Sequence, residues 1–343
     1  MKRLFNLDYL RGLAAFGIML YHYTLWTKGL QSSADFLGRV GVYGVAIFYI
    51  LSGLTLSYVY ADRLKFTAAD LWDFAKKRIF RILPLLWLVT AYSIYINQLN
   101  PGFWDLTLNL TGLFGFFQWD KYFSVGLWSI GNEWVFYALF PVLVFSWRYK
   151  KWAMPLLMLL VLGCFVYFTF YRLNPSIKVS KQWHIYSNPL NQVYLFVMGF
   201  FLRFVFADQK VKNVWLITFV VVGLVVFVFF PVSGDQIRLV TGWNRVLFSL
   251  TCLLICWSFY KLDIKLPSLL HKPMLILGET SYSVYLLHPL VFITLNKQVK
   301  IWREMGCEIP YWQHCLAAAI LTLVISYFVY NYFEKFFMNL GKR

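Results

Sequence analysis

The sequence predicts an all-α fold, a polytopic transmembrane helical bundle of about ten helices with both termini in the cytoplasm. Three observations predict it. Hydrophobic residues fill 60% of the 343 positions and charged residues only 14%, against roughly 25% charged in a soluble domain, so a water-soluble fold could not hide the apolar surface. The apolar residues gather in stretches close to the about 20 residues that cross a bilayer as one helix. Basic residues are also divided unevenly between alternate loops. With Arg11 set aside inside the first stretch, 20 of the 32 Lys and Arg fall on the side of the N-terminus and 11 on the other, which places both termini inside.

In chain order the stretches lie at about 7–27, 38–60, 79–98, 127–146 and 152–171, then at about 189–206, 213–231, 244–260, 275–295 and 312–335. A shorter run, Phe103 to Gln118, is interrupted by Asp105, Asn109 and Gly112 and reads as re-entrant or interfacial. No interval between stretches is long enough for a folded soluble unit. The expectation is therefore a single membrane domain over 1–343 with no appended soluble domain. A cleaved leader is not expected either, because the first stretch carries Asp8, Arg11 and His22 and no small-residue cleavage site follows.

The net charge of +17 is read as topology. Its basic residues sit between apolar runs rather than on one patch, so nucleic acid is not an expected partner, whereas the lipid bilayer is. The five cysteines form no CxxC pair, and no metal is expected. Cys252 and Cys256 read as buried thiols, and Cys307 with Cys315 is the only pair placed to meet outside the membrane.

Polar residues inside these stretches are costly and mark candidate sites. Arg11 and His22 are eleven positions apart, which on a helix puts them on one face within about 20° and roughly 16 Å apart along the axis. Arg11 then lies near the inner surface and His22 in the outer third of the membrane. His22 is suited to taking a proton near neutral pH, although a hydrogen-bonded packing residue would also fit, and Arg11 could be an interface anchor paired with Asp8. Glu133 shares a helix face with Ser129 and Tyr137 at i,i+4 spacing, at a depth similar to His22. The two could form an oriented base, Glu133 fixing the imidazole tautomer as in hydrolase triads.

Lys76, Lys77, Arg78 and Arg81 precede Pro84 at the inner start of the third stretch. Such a cluster suits phosphates, but the positive-inside rule alone would also place it there. Ser281, Tyr282, Tyr285 and His288 bring polar groups into the ninth stretch, and Ser52, Gly53 and Ser57 bring small ones into the second. Helix packing would explain either set as well as a polar cavity.

Taken together the motifs LDYLRGLAAFGIMLYHY (Leu7–Tyr23), GVAIFYILSG (Gly44–Gly53), KKRIFRILP (Lys76–Pro84), WSIGNEWVFY (Trp128–Tyr137) and LGETSYSVYLLHP (Leu277–Pro289) resemble the integral-membrane acyltransferase family 3. Members transfer acyl groups, commonly acetyl, to hydroxyls of bacterial surface sugars. The resemblance covers nearly the whole chain. It implies acetyl-CoA or another acyl-CoA as donor on the cytoplasmic side, a carbohydrate or lipid-linked glycan as acceptor, and residence in the bacterial inner membrane. It also implies catalytic roles for His22, Arg11 and Glu133, donor binding by Arg78, Arg81 and Lys77, and substrate contacts from Ser52, Trp128, Ser129, Tyr282 and His288. Direct transfer with His22 as base is the expected mechanism, a covalent relay through His22, Ser52, Ser129 or Ser281 a variant of it. A transporter of an anionic or acylated substrate is the alternative, using the same polar helix faces as a path.

Overall fold

The computed structural model describes residues 3–205, 207, 209–264 and 266–342, and among these no strand is formed. The N-terminal half comprises α1 (Phe5–Lys28), α2 (Phe36–Tyr60), α3 (Ala68–Asn97), the short α4 (Phe103–Thr111) and α5 (Phe114–Phe117), α6 (Leu127–Arg148) and α7 (Ala153–Val166), which continues as a π-helix over Tyr167–Arg172. After the single turn α8 (Trp183–Tyr186) come α9 (Pro189–Leu202), α10 (Asn213–Phe229), α11 (Gly242–Lys261), α12 (Ser268–Glu279), α13 (Ser281–Glu304), α14 (Tyr311–Phe328) and α15 (Lys335–Leu340). A π-helix, Val329–Glu334, joins the last two.

Each of the ten apolar stretches falls on helix. Among the described residues six helices are long and apolar enough to cross a membrane, and a seventh span is obtained when α12 and α13 are taken as one, bent by 69°. The apolar helices α9 and α10 are shorter, at 14 and 17 residues. The chain is thus a multi-pass membrane protein. The interrupted run after α3 forms two short helices separated at Gly112, which adopts φ +75° and is packed so close to the Trp134 indole that a Cβ would sit 2.3 Å from its nitrogen.

Local signals explain several boundaries. The Thr67 hydroxyl accepts from the Asp70 backbone N–H and caps α3. Asn188 caps α9 in the same way, with Pro189 at the first helical position where its missing N–H costs nothing. Burial sorts the helices: 67% of the most apolar window of α2 is inside the protein against 22% for the segment Ala153–Arg172, so α2 is central and α7 faces lipid. The α2–α9 crossing depends on Gly53 and Gly199, where a Cβ would come within 2.0 Å of the Phe196 carbonyl and 2.1 Å of the Ile50 carbonyl. Small residues there let two backbones touch, the packing role foreseen for Gly53.

Two buried arginines serve this scaffold. Arg39, 2% exposed, donates to the carbonyls of Ser33 (2.8 Å), Phe227 (3.0 Å) and Phe230 (2.6 Å), which satisfies the C-terminal end of α10. Arg245, equally buried, holds the Asn191 side chain and carbonyl, each at 2.7 Å. The five cysteines are free, Cys307 and Cys315 included.

Candidate active site

The helices α1, α2, α3, α6 and α13 enclose a cavity of about 290 Å3. Arg11 enters it from α1, Arg78 and Arg81 from α3, and Glu133 from α6. Ser52, Ser129 and Tyr282 also line it, so seven of the residues singled out in the sequence meet in one place. Three guanidinium groups face one carboxylate. Arg11 does not pair with Asp8, which is held by Arg3 at 3.0 Å; its Nη2 donates instead to Thr55 Oγ1 at 3.0 Å. Arg78 lies over the Tyr137 ring at 6.0 Å, and its buried Nε has no hydrogen-bond partner among the described residues. The Arg81 Nη1 reaches only the Met338 thioether, at 3.2 Å, a weak acceptor. Most of the guanidinium donors are therefore left for an anionic ligand.

Glu133 stands among Arg81, Arg11, Tyr137 and Ser52. A second acid, Glu334, was not foreseen. It is 3% exposed at the end of the π-helix, accepts a short hydrogen bond from Ser283 Oγ, and attracts Arg81. The sequence signal for it is weak, since an acid near a helix end ordinarily reads as solvated, and only the extra residue of a π-turn brings it inward. Lys77 departs from the expectation. Its ammonium pairs with Asp73 at 2.6 Å, one turn earlier on α3, and it does not line the cavity. The reason is helical phase, because Arg78 and Arg81 lie three apart on one face and Lys77 falls beside it.

Toward the C-terminal end of α1 lies a second cavity, of about 160 Å3, lined by His22, Trp128, Trp183, Tyr186 and Gln236 among others. Trp128, Trp183 and Tyr186 form a cluster of rings with centroids 5.3 to 5.6 Å apart. The Trp183 indole N–H donates to Tyr122 Oη at 2.6 Å, and burial pushes that phenol up to about 12, so it stays a neutral hydroxyl. Val45 and Tyr285 line both cavities, so these two side chains form the wall that the chambers share. The Tyr285 hydroxyl is held by Ser129 Oγ at 2.9 Å.

The expected pairing of His22 with Glu133 is not formed. His22 Nδ1 lies 2.8 Å from Nε2 of His288, whose own Nδ1 lies 3.1 Å from the Val284 carbonyl. Glu133 belongs to the first cavity and His22 to the second, so similar depth did not bring them together. His288 is wholly buried behind His22 and, unlike the other residues expected to contact substrate, lines neither cavity.

The model of the acyltransferase domain family matches residues 4–331. The chain belongs to this acyltransferase family. Among curated proteins, the O-acetyltransferase OatA of Staphylococcus aureus strain NCTC 8325 is 23% identical over 369 aligned residues, covering 96% of this chain and 56% of that protein. A putative O-acetyltransferase of Staphylococcus aureus strain COL is 22% identical over 386, covering 99% and 58%. The chain thus spans little more than half the length of the curated relatives it matches. No solved structure matches it significantly. Both chambers of this acyltransferase-family fold lie inside the matched residues, as does His288.

Proposed function

We propose that the chain is a membrane O-acyltransferase that moves an acetyl group from acetyl-CoA to a hydroxyl of a cell-surface carbohydrate or its lipid-linked precursor. One observation carries the reading: a chamber lined by Arg11, Arg78 and Arg81 meets, at Val45 and Tyr285, a second chamber that holds His22. Free guanidinium donors suit the phosphates of an acyl-CoA. A cavity of about 290 Å3 is at the small end for organic ligands, so it takes part of the cofactor while the nucleotide remains toward the inner surface. The neutral, aromatic second chamber suits an uncharged sugar. In this reading ten helices span the bacterial inner membrane with both termini in the cytoplasm, and donor and acceptor arrive from opposite sides.

The reaction then needs one base. His22 takes the proton of the acceptor hydroxyl as that oxygen attacks the thioester carbonyl, the carbon–sulfur bond breaks, and the proton returns from the imidazole to the coenzyme A sulfur. Arg11, Arg78 and Arg81 hold the donor while the Glu133 carboxylate offsets the repulsion among them. The names of the two relatives, both O-acetyltransferases, support the acyl group and the type of bond.

A transporter of an anionic substrate has one observation in its favour, the 69° break between α12 and α13, since broken helices line many transport paths. The deciding experiment measures acetyl-CoA binding and turnover by purified protein in nanodiscs, with His22→Ala and Arg78→Ala/Arg81→Ala beside it. Binding lost in the arginine variant and turnover lost in the histidine variant support the transferase. A folded wild-type protein that binds no acyl-CoA overturns it in favour of transport.

A further inference from the structure

We infer that His288 is a positioning residue that fixes the tautomer of His22, leaving the Nε2 lone pair of His22 as the only basic nitrogen of the pair. The inference rests on the transferase reading for its consequence but not for its geometry. A backbone carbonyl can only accept, so the 3.1 Å contact of His288 Nδ1 with the Val284 carbonyl puts the hydrogen of His288 on Nδ1. A neutral imidazole has one donor and one acceptor, hence His288 Nε2 is an acceptor. The hydrogen in its 2.8 Å contact with His22 Nδ1 therefore belongs to His22. With Nδ1 protonated, Nε2 of His22 is left unprotonated. The chain of donors runs in a fixed order from a main-chain group that cannot reverse it.

The surroundings hold both rings in place. The His22 and His288 rings lie 5.0 Å apart at 14°, and Trp26 stacks on His22 at 5.2 Å and 10°. Tyr23 donates to the His288 carbonyl at 3.2 Å and is bonded to Thr322 at 2.6 Å. Among the described residues no carboxylate or cation is hydrogen-bonded to either ring. A carboxylate in the place of His288 would orient His22 equally well, but it would bring a buried charge into the bilayer, which is costly. A neutral imidazole orients the base without that cost.

The arrangement also closes the route behind His22. If the proton gained at Nε2 pushed the Nδ1 hydrogen on to His288, that ring would become a cation whose other N–H faces a carbonyl unable to receive a proton. The proton taken from the acceptor hydroxyl must leave from the same nitrogen that received it. In the proposed transfer it goes to the coenzyme A thiolate as the carbon–sulfur bond breaks, so each turnover converts an alcohol and a thioester into an ester and a thiol with no proton lost inward.

Two measurements test this. The chain has five histidines, so histidine-selective 15N labelling in nanodiscs gives a tractable spectrum in which His22→Ala identifies the His22 signals. A protonated Nδ1 and an unprotonated Nε2 at His22 are expected, and the opposite tautomer would overturn the inference whether or not the protein turns over acetyl-CoA. His288→Gln places an amide oxygen where Nε2 was and should keep kcat within about threefold, while His288→Leu should lower kcat about 100-fold with acetyl-CoA affinity unchanged. A His288→Leu protein that binds acetyl-CoA normally and turns over at the wild-type rate overturns the assignment. Absence of turnover in wild type together with the expected tautomer would refute the transferase reading and leave the pair intact.

Discussion

The two chambers that share Val45 and Tyr285 are built from opposite materials. The first gathers three arginines, two of them with few or weak partners, around one carboxylate. The second is walled by rings and holds a neutral-partnered imidazole. Arginines are also buried elsewhere in the bundle, yet Arg39 and Arg245 are saturated by carbonyls and Asn191. Charge in this protein is thus left unspent in one place. The difference teaches that a buried arginine becomes a ligand group only where the fold withholds acceptors from it, and residue type alone does not distinguish the two cases.

The sharpest way to break the comparison is His22→Ala. It should lower kcat by about 10³ to 10⁴-fold while acetyl-CoA affinity stays within twofold of wild type, as expected for loss of a general base alone; a parallel loss of affinity would mean that the chambers are one site. Next in size, Arg78→Ala/Arg81→Ala should weaken acetyl-CoA binding about 100-fold, from two charged hydrogen-bond donors of about 1.5 kcal/mol each, as isothermal titration in nanodiscs would show. Raising salt should weaken binding by wild type more than by this variant. Trp183→Ala should raise the acceptor KM about tenfold and leave donor affinity unchanged, which assigns the aromatic chamber to the acceptor. Lys77→Ala should change donor affinity less than about twofold, because its charge is committed to Asp73 at a half-exposed site. A larger loss would mean that the donor reaches beyond the cavity.

Much of this was legible in the sequence. Apolar length placed helix under the ten stretches, ionisable residues inside them named Arg11 and Glu133, and the family resemblance added Arg78 and Arg81, which share a cavity with them. Partner choice was not legible. His22 and Glu133 have similar depth, but depth fixes one coordinate of a helix and leaves its azimuth free, and His288, from a stretch far along the chain, faces His22 instead. Trp183 and Gln236 come from short turns in polar loops, where no periodicity announces which side chain points inward. Glu334 needed a π-turn to be seen. The break at Thr280 was hidden because apolar residues flank the polar run Gly278–Ser283 closely enough for the whole of 275–295 to pass for one helix.

That break has a consequence for the arginine chamber. Because α13 starts afresh at Ser281, which lines the cavity, the chain opens a new helix inside the bundle, and the first turn of any helix carries unpaired amides and a partial positive charge. Next to the arginines, that main-chain polarity is one which no side-chain substitution removes and no change of pH discharges. A variant stripped of all three arginines would keep that polarity at the same wall, so any anion binding that survived in it would trace to the topology of the chain.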